Sequence, residues 1–157
     1  MTRRYGRAAK AERCLCRVPH GHWSTATFIA ALRHDRLTAP LLLNAPMDGA
    51  MFLACVQKIL APELHRGDLV VCDNLSSHKV SGVREAIAHC GAELLYLPAC
   101  SPGLNPIELA FAKLKAFLRQ RAQRTFAGLR RATAQALDSF TPAHCTHFFH
   151  HAKYATD

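Results

Sequence analysis

The 157-residue chain is long enough for one domain with a proper core and too short for two ordinary ones. Half of it is apolar, which excludes a disordered chain, and 20 Lys and Arg against 11 Asp and Glu leave a formal charge of +9. That excess favours a polyanionic partner, and nucleic acid is the commonest one for a soluble chain.

The first dozen residues are basic and lack periodicity, as in a loop or an arm. "CLCRVP", "STATFIAALRHD" and "LTAPLLLNAP" are rich in alternating or β-branched residues, so an antiparallel meander of two or three strands is expected, with "HDRL" as one hairpin turn. From Asp48, apolar residues at 51, 52, 55, 56, 59 and 60 make a helical stripe, with Asp48 as its N-cap. Gly67 and Asp68 turn the chain into Leu69–Cys72, a continuous apolar run that suits a strand buried on both faces. "SGVREAIAHCG" reads as an amphipathic helix, with Ser81 as a cap and Gly91 beyond its end. "AELLYLP" is a second buried strand, and strand, helix, strand at this spacing predicts a right-handed βαβ unit with parallel strands. After the loop "ACSPGLN", Pro106 opens a long helix, "PIELAFAKLKAFLRQRAQ". "FAGLRRATAQALDSF" is a further helix and "PAHCTHFFHHA" a short last one. The order is that of an α/β layer fold.

The seven cysteines are odd in number and lie mostly in apolar runs. They read as small buried residues in a reducing compartment, not as a disulfide framework. "MTRRYGRAAKAERC" has no signal-peptide core, and no apolar run has the length to span a membrane. A soluble cytoplasmic protein is expected.

Sites in open α/β sheets form beyond the carboxyl ends of strands. Asp73 stands at such an end. The next strand is expected to be parallel and to open on the same side, and the loop after it leads to Glu108, 34 intervening residues away. Two converging carboxylates suit a hard divalent cation, which takes oxygen ligands and keeps some of its waters. Such a metal site acting on a phosphodiester would also account for the positive charge. Taken singly, Asp73 also reads as a turn residue bonding its own backbone, and Glu108 as a residue favoured by the helix dipole.

Together, "VVCDNLSSHK", the 34-residue gap and "LPACSPGLNPIELAFAKLK" resemble the catalytic domain of DDE transposases, in the mariner-related bacterial insertion-sequence family 630. The resemblance extends through "RRYGRA", "VPHGHWSTATFIAALRHD", "APLLLNAPMDG" and "FTPAHC", so residues 1–157 read as a single catalytic domain. It implies a ribonuclease-H-like fold: a five-stranded mixed sheet flanked by helices. It implies phosphodiester hydrolysis and strand transfer at transposon ends, dependent on Mg2+ or Mn2+. Asp73 and Glu108 would be the catalytic metal ligands, the former in a D-N-x-x-x-H motif and the latter in S-P-x-x-N-P-I-E. Asn74, His78 and Asn105 would shape the site or touch substrate. Lys113, Lys115 and Arg119, with Arg121 and Arg124, would contact the DNA backbone, although a solvated helix face explains them as well. A homodimer, and a bacterial chain that joins the nucleoid when DNA-bound, fit the same reading.

The family's first catalytic Asp lies on a first, central strand that precedes "RRYGRA", where this chain has Met1 and Thr2. Asp35 in a turn, Asp48 as a cap and Asp68 at the wrong strand end do not replace it. The upstream helix-turn-helix DNA-binding region usual in this family does not stand in the sequence either. The expectation is a truncated transposase or one half of a split gene, inactive unless an upstream half is supplied in trans. The alternative is a non-catalytic DNA-binding or dimerisation remnant. Two further groups, "HCTHFFHH" and the Cys14-x-Cys16 pair, lack a matching second ligand pair and read as structural. Trp23 reads as a core or strand-edge aromatic.

Overall fold

The structure, a computed structural model, describes residues 6–15 and 25–154. Cys16, Trp23 and most of "CLCRVP" lie outside them; Cys14 and Leu15 are exposed and belong to no strand.

Strands β1 (Thr27–Leu32) and β2 (Leu37–Leu43) pair antiparallel. The expected hairpin turn joins them, with Arg33 N donating to Arg36 O at 2.8 Å. The register shifts between Ile29 and Ala31, where Ala39 and Pro40 together oppose Ala30. This is a β-bulge, and it sits where Pro40 has no N–H for a regular ladder. Ala39 absorbs the bend at φ +50°.

Helix α1 (Gly49–Cys55) begins as expected, with Asp48 Oδ1 accepting from Met51 N at 2.8 Å. It continues as a wider π turn over Val56–Leu60 and a tight turn over Ala61–Glu63. Pro62 can return no hydrogen bond to Lys58, and its ring would meet that carbonyl, so the regular ladder stops short of it.

Strands β3 (Leu69–Cys72) and β4 (Glu93–Tyr96) pair in parallel, Val70 beside Leu94 and Cys72 beside Tyr96. Helix α2 (Val83–His89) connects them. Its N-cap is not Ser81 but Gly82, at φ +93°, with no side-chain cap. A left-handed residue there is cheap only for glycine, and it displaces the expected serine cap by one position. Gly91, at φ +73°, ends the helix as its position in the sequence predicts.

Three helices follow. Helix α3 (Ile107–Arg121) starts on Pro106. Helix α4 (Phe126–Leu137) is capped by Thr125, whose hydroxyl accepts from Gly128 N at 3.1 Å. Helix α5 (Pro142–His151) opens with a capping box, Thr141 and His144 each accepting from the other's backbone N–H.

Two cores result. One packs Phe52 and Val56 of α1 and its continuation, Val83 and Ile87 of α2, and Leu94 of β4. Fully buried Ile87 alone contributes about 2 kcal/mol of apolar burial. The other packs Leu114 and Leu118 of α3 against Ala132 and Ala136 of α4, with Phe28 of β1 against it. The fold is mixed α/β, but the expected five-stranded sheet is not continuous. Among the described residues it consists of two separate pairs, β1–β2 and β3–β4. No helix among them is long and apolar enough to cross a membrane.

Candidate active site

The β3–β4 ladder runs to the last residue before Asp73, since Leu97 N donates to Cys72 O at 2.8 Å. Asp73 therefore leaves a fixed strand end. A helical turn over Ser76–Lys79 folds back and places His78 Nδ1 2.5 Å from Asp73 Oδ1. Both atoms are buried and neither makes a hydrogen bond of regular geometry among the described residues; their close contact is an ion pair when His78 is protonated. The His78 ring stacks on Phe52, with centroids 4.2 Å apart and planes at 25°. Tyr96 Oη donates to His78 O at 2.7 Å, so β4 holds the same turn from the other side.

Glu108 lies in the first turn of α3, its N–H donating to Asn105 O at 3.1 Å. Its carboxylate is exposed and Asn105 is half-buried. Asp73, His78, Asn105 and Glu108 line one cavity of about 880 Å³. Asn74 does not line it; its Oδ1 is buried with no hydrogen-bond partner among the described residues. The neighbouring Cys72 thiol is pushed up to about 11, first by burial and then by the Asp73 charge.

Of the other carboxylates, Glu63 and Asp68 line the same cavity, whereas Asp35 and Asp48 do not. Asp35 pairs with Arg36 in the hairpin turn, and Asp48 caps α1. Asp68 pairs with Arg33 at the opposite end of β3. That pair holds the Asp68 carboxyl below its ordinary value, chiefly through the hydrogen bond from Arg33. Arg33 Nη2 also donates to Glu63 O at 2.8 Å.

On α3, Lys115, Arg119 and Arg121 are exposed, as is Arg124 beyond it. Lys113 is turned toward α5: its ammonium donates to Ser139 O at 3.0 Å, lies 2.9 Å from His144 Nδ1, and sits 4.6 Å above the Phe140 ring. His144 thus serves the cap of α5 and the α3–α5 contact.

The profile of the DDE superfamily endonucleases matches residues 1–130. The chain belongs to this family. This DDE endonuclease domain is also similar to solved structures of Mos1 transposase. It aligns with the Mos1 strand transfer complex at 15% identity and a TM-score of 0.75, covering 96% of this chain and 46% of that one. It aligns with the catalytic domain of Mos1 mariner transposase at 15% identity and a TM-score of 0.64, covering 81% of this chain and 74% of that one. A Mos1 catalytic domain with Raltegravir and Mn aligns at 17% identity and a TM-score of 0.68, over the same shares. The fold of this DDE endonuclease domain is therefore that of the Mos1 catalytic domain, which is ribonuclease-H-like. The chain spans under half the length of the transposase in the strand transfer complex. A search of curated proteins gave no match.

The Asp73 and Glu108 carboxylates and the Asn105 amide, lining one cavity, are oxygen donors of the kind a hard cation takes, which accepts one or two carboxylates and completes its shell with water and phosphate. Among the described residues, no group of three or more His, Cys, Asp or Glu is placed to hold a metal. Sequence reasoning missed Phe52 under His78, Tyr96 behind it, and the Arg33–Asp68 pair. Phe52 reads as an ordinary core residue of a helical stripe, and nothing in its spacing points to His78.

Proposed function

We infer that this chain is the catalytic domain of a mariner-related transposase of insertion-sequence family 630. Its reaction would be phosphodiester cleavage and strand transfer at transposon ends. The observation that carries this reading is that Asp73, at the end of a parallel strand, and Glu108, at the start of α3, line the same cavity. These two carboxylates would hold Mg2+ or Mn2+. When bound, the metal would polarise a phosphoryl oxygen and lower the pKa of a bound water. His78 would orient Asp73, and Asn105 would face the substrate side of the cavity. Asn74 would shape the turn that carries His78. Lys115 and Arg119 would contact DNA phosphates, and Lys113 would have to leave Ser139 and His144 to join them. The Mos1 neighbours solved with Mn and with Mg, and as transposon-end complexes, support the metal and the DNA partner.

Asp73 and Glu108 would be two metal-ligating carboxylates among residues 1–157, so a polypeptide of these residues should bind Mn2+ weakly and fail to nick transposon-end DNA on its own. Electron paramagnetic resonance of Mn2+ tests the first part. Asp73→Asn and Glu108→Gln should each weaken binding at least tenfold, and an unchanged affinity in both would overturn the site. A purified chain that nicks DNA with Mg2+, and loses the activity on Asp73→Ala, would overturn its inactivity alone. DNA binding indifferent to metal and to both substitutions would assign the chain as a non-catalytic remnant.

A further inference from the structure

Helix α5 ends on a left-handed residue that is not glycine. Lys153 has φ +64°, a conformation in which a side chain crowds the following carbonyl. The backbone closes around it twice. Lys153 N donates to His150 O at 3.0 Å, and Tyr154 N donates to Phe149 O at 3.0 Å. These two bonds and the left-handed residue form a Schellman ending, which turns the chain off the helix axis. The apolar contact that often accompanies such an ending is present as well. The Phe149 and Tyr154 rings meet edge to face, with centroids 5.9 Å apart and planes at 85°. Both the backbone and the ring of Tyr154 are therefore fixed.

The ring carries a hydroxyl to another element. Tyr154 Oη donates to Leu104 O at 2.9 Å, across 50 positions of sequence. That carbonyl shares one planar peptide unit with the N–H of Asn105, which donates to Pro102 O at 3.0 Å. The unit is thus held on both sides. Asn105 O in turn accepts from Glu108 N at 3.1 Å, in the first turn of α3. One series of hydrogen bonds therefore runs from the end of α5 to the residue that bears the second carboxylate. No side chain from Ser101 to Asn105 is buried, so hydrogen bonds rather than packing set the shape of this loop. Phe149 and Tyr154 line the same cavity as Asn105 and Glu108. At its other end α5 meets α3 through His144 and Lys113. The two helices run in opposite directions, and it is the C-terminal end of α5 that reaches the loop before Glu108.

We propose that Tyr154 is a positioning residue for Asn105 and Glu108: its hydroxyl, aimed by the left-handed end of α5, latches the Leu104–Asn105 peptide and so fixes where α3 begins. Tyr154 touches neither metal nor substrate in this role. It acts through the backbone, and the Glu108 carboxylate, exposed in itself, takes its place from the turn beneath it. Holding a ligand in place before the ion arrives spares the ion the cost of ordering it. This deepens the proposed function and rests on it only for the metal that Glu108 would hold; the latch rests on the hydrogen bonds.

The test compares the full chain with Tyr154→Phe, which removes the hydroxyl and keeps the ring on Phe149, and with Tyr154→Ala, which removes both. Amide hydrogen exchange reads Leu104, Asn105 and Glu108, the urea midpoint reads global stability, and electron paramagnetic resonance reads Mn2+ binding. In Tyr154→Phe, exchange at those three amides should quicken at least tenfold and Mn2+ binding weaken at least threefold, with little change in the midpoint. Tyr154→Ala should lower the midpoint clearly yet weaken Mn2+ about as much as Tyr154→Phe. Exchange unchanged in Tyr154→Phe, or quickened equally along the whole chain, would overturn the latch. Quickened exchange with Mn2+ affinity unchanged would mean that the latch positions nothing, and Mn2+ affinity that tracks the midpoint across the two variants would make Tyr154 a packing residue; either overturns the proposal. Lys153→Gly should raise the midpoint, since glycine takes the left-handed turn without crowding. A lowered midpoint would overturn the ending that aims Tyr154. Failure of the parent chain to bind Mn2+ would strike the metal reading, and exchange at the three amides would then decide the latch by itself.

Discussion

Asp73 and His78 hold each other, and the imidazole lies flat on Phe52. The motif named both residues, Asp73 as a metal ligand and His78 as one that shapes the site, but it did not disclose their contact. The Phe52 platform was not legible, because a stripe of apolar residues does not say which of them meets a polar partner. Phe52 is 7% exposed and anchors both the core and the His78 ring, so Phe52→Ala should cost about 3–5 kcal/mol in urea unfolding. Beside this pair, the Cys72 thiol titrates near 11 because burial and the Asp73 carboxylate both oppose the thiolate. The thiolate is the nucleophile. At pH 8, Cys72 should therefore react with iodoacetamide far more slowly than the exposed Cys14 and Cys100, and the gap should close as the pH rises toward 11. Mass spectrometry of the alkylated peptides at several pH values measures this. Equal rates at pH 8 would contradict the burial of Cys72.

Among the elements of the described residues, the hairpin, the parallel pair and the five α-helices followed from periodicity and turn residues. What did not follow has local causes. Pro40 sits inside β2 because a bulge places it where no ladder donor is needed, and an isolated Pro in an apolar run does not disclose the bulge. The pitch of α1 changes ahead of Pro62, and Gly82 takes the cap position expected for Ser81. The link between elements was also hidden: Arg33 and Asp68 are 35 positions apart, and they tie the end of β1 to the start of β3. The folded Asp68 carboxyl lies below its ordinary value of 3.8, so the pair stabilises the fold fully above that pH and ceases to as the pH falls through the lowered value. Asp68→Asn should cost about 1 kcal/mol at pH 7, since the pair is partly exposed, and the difference from the parent chain should vanish in strong acid. Urea midpoints at pH 7, 4 and 2 follow it. A constant difference across that range would mean that the amide disturbs something other than the charge. At the start of α5, Thr141→Ala removes the hydroxyl of the capping box and should lower stability by about 1 kcal/mol in the same assay.

Across the whole molecule, length pointed to one domain, charge to a polyanionic partner and the order of elements to an α/β layer, and Asp73 and Glu108 line one cavity. The separation of the sheet into two pairs was less legible, because strand signals in a sequence identify strands and not the neighbours each will find. The positive charge makes a prediction at the same scale. Each phosphate neutralised by Lys or Arg releases counterion, and the affinity for double-stranded DNA falls with salt by about 0.9 logarithmic units per contact for each tenfold rise. Lys115 and Arg119 are exposed on α3, whereas Lys113 is held by Ser139, His144 and Phe140. If α3 lies along the DNA backbone, Lys115→Ala with Arg119→Ala should make the salt slope shallower by about 2, uniformly across DNA sequences. Lys113→Ala should instead lower stability by loosening α3 from α5 and leave that slope unchanged. Fluorescence anisotropy with a 30-base-pair duplex between 50 and 300 mM salt separates the two effects. A slope unchanged by the double substitution would remove α3 from the DNA interface and return its exposed charges to the role of a solvated helix face.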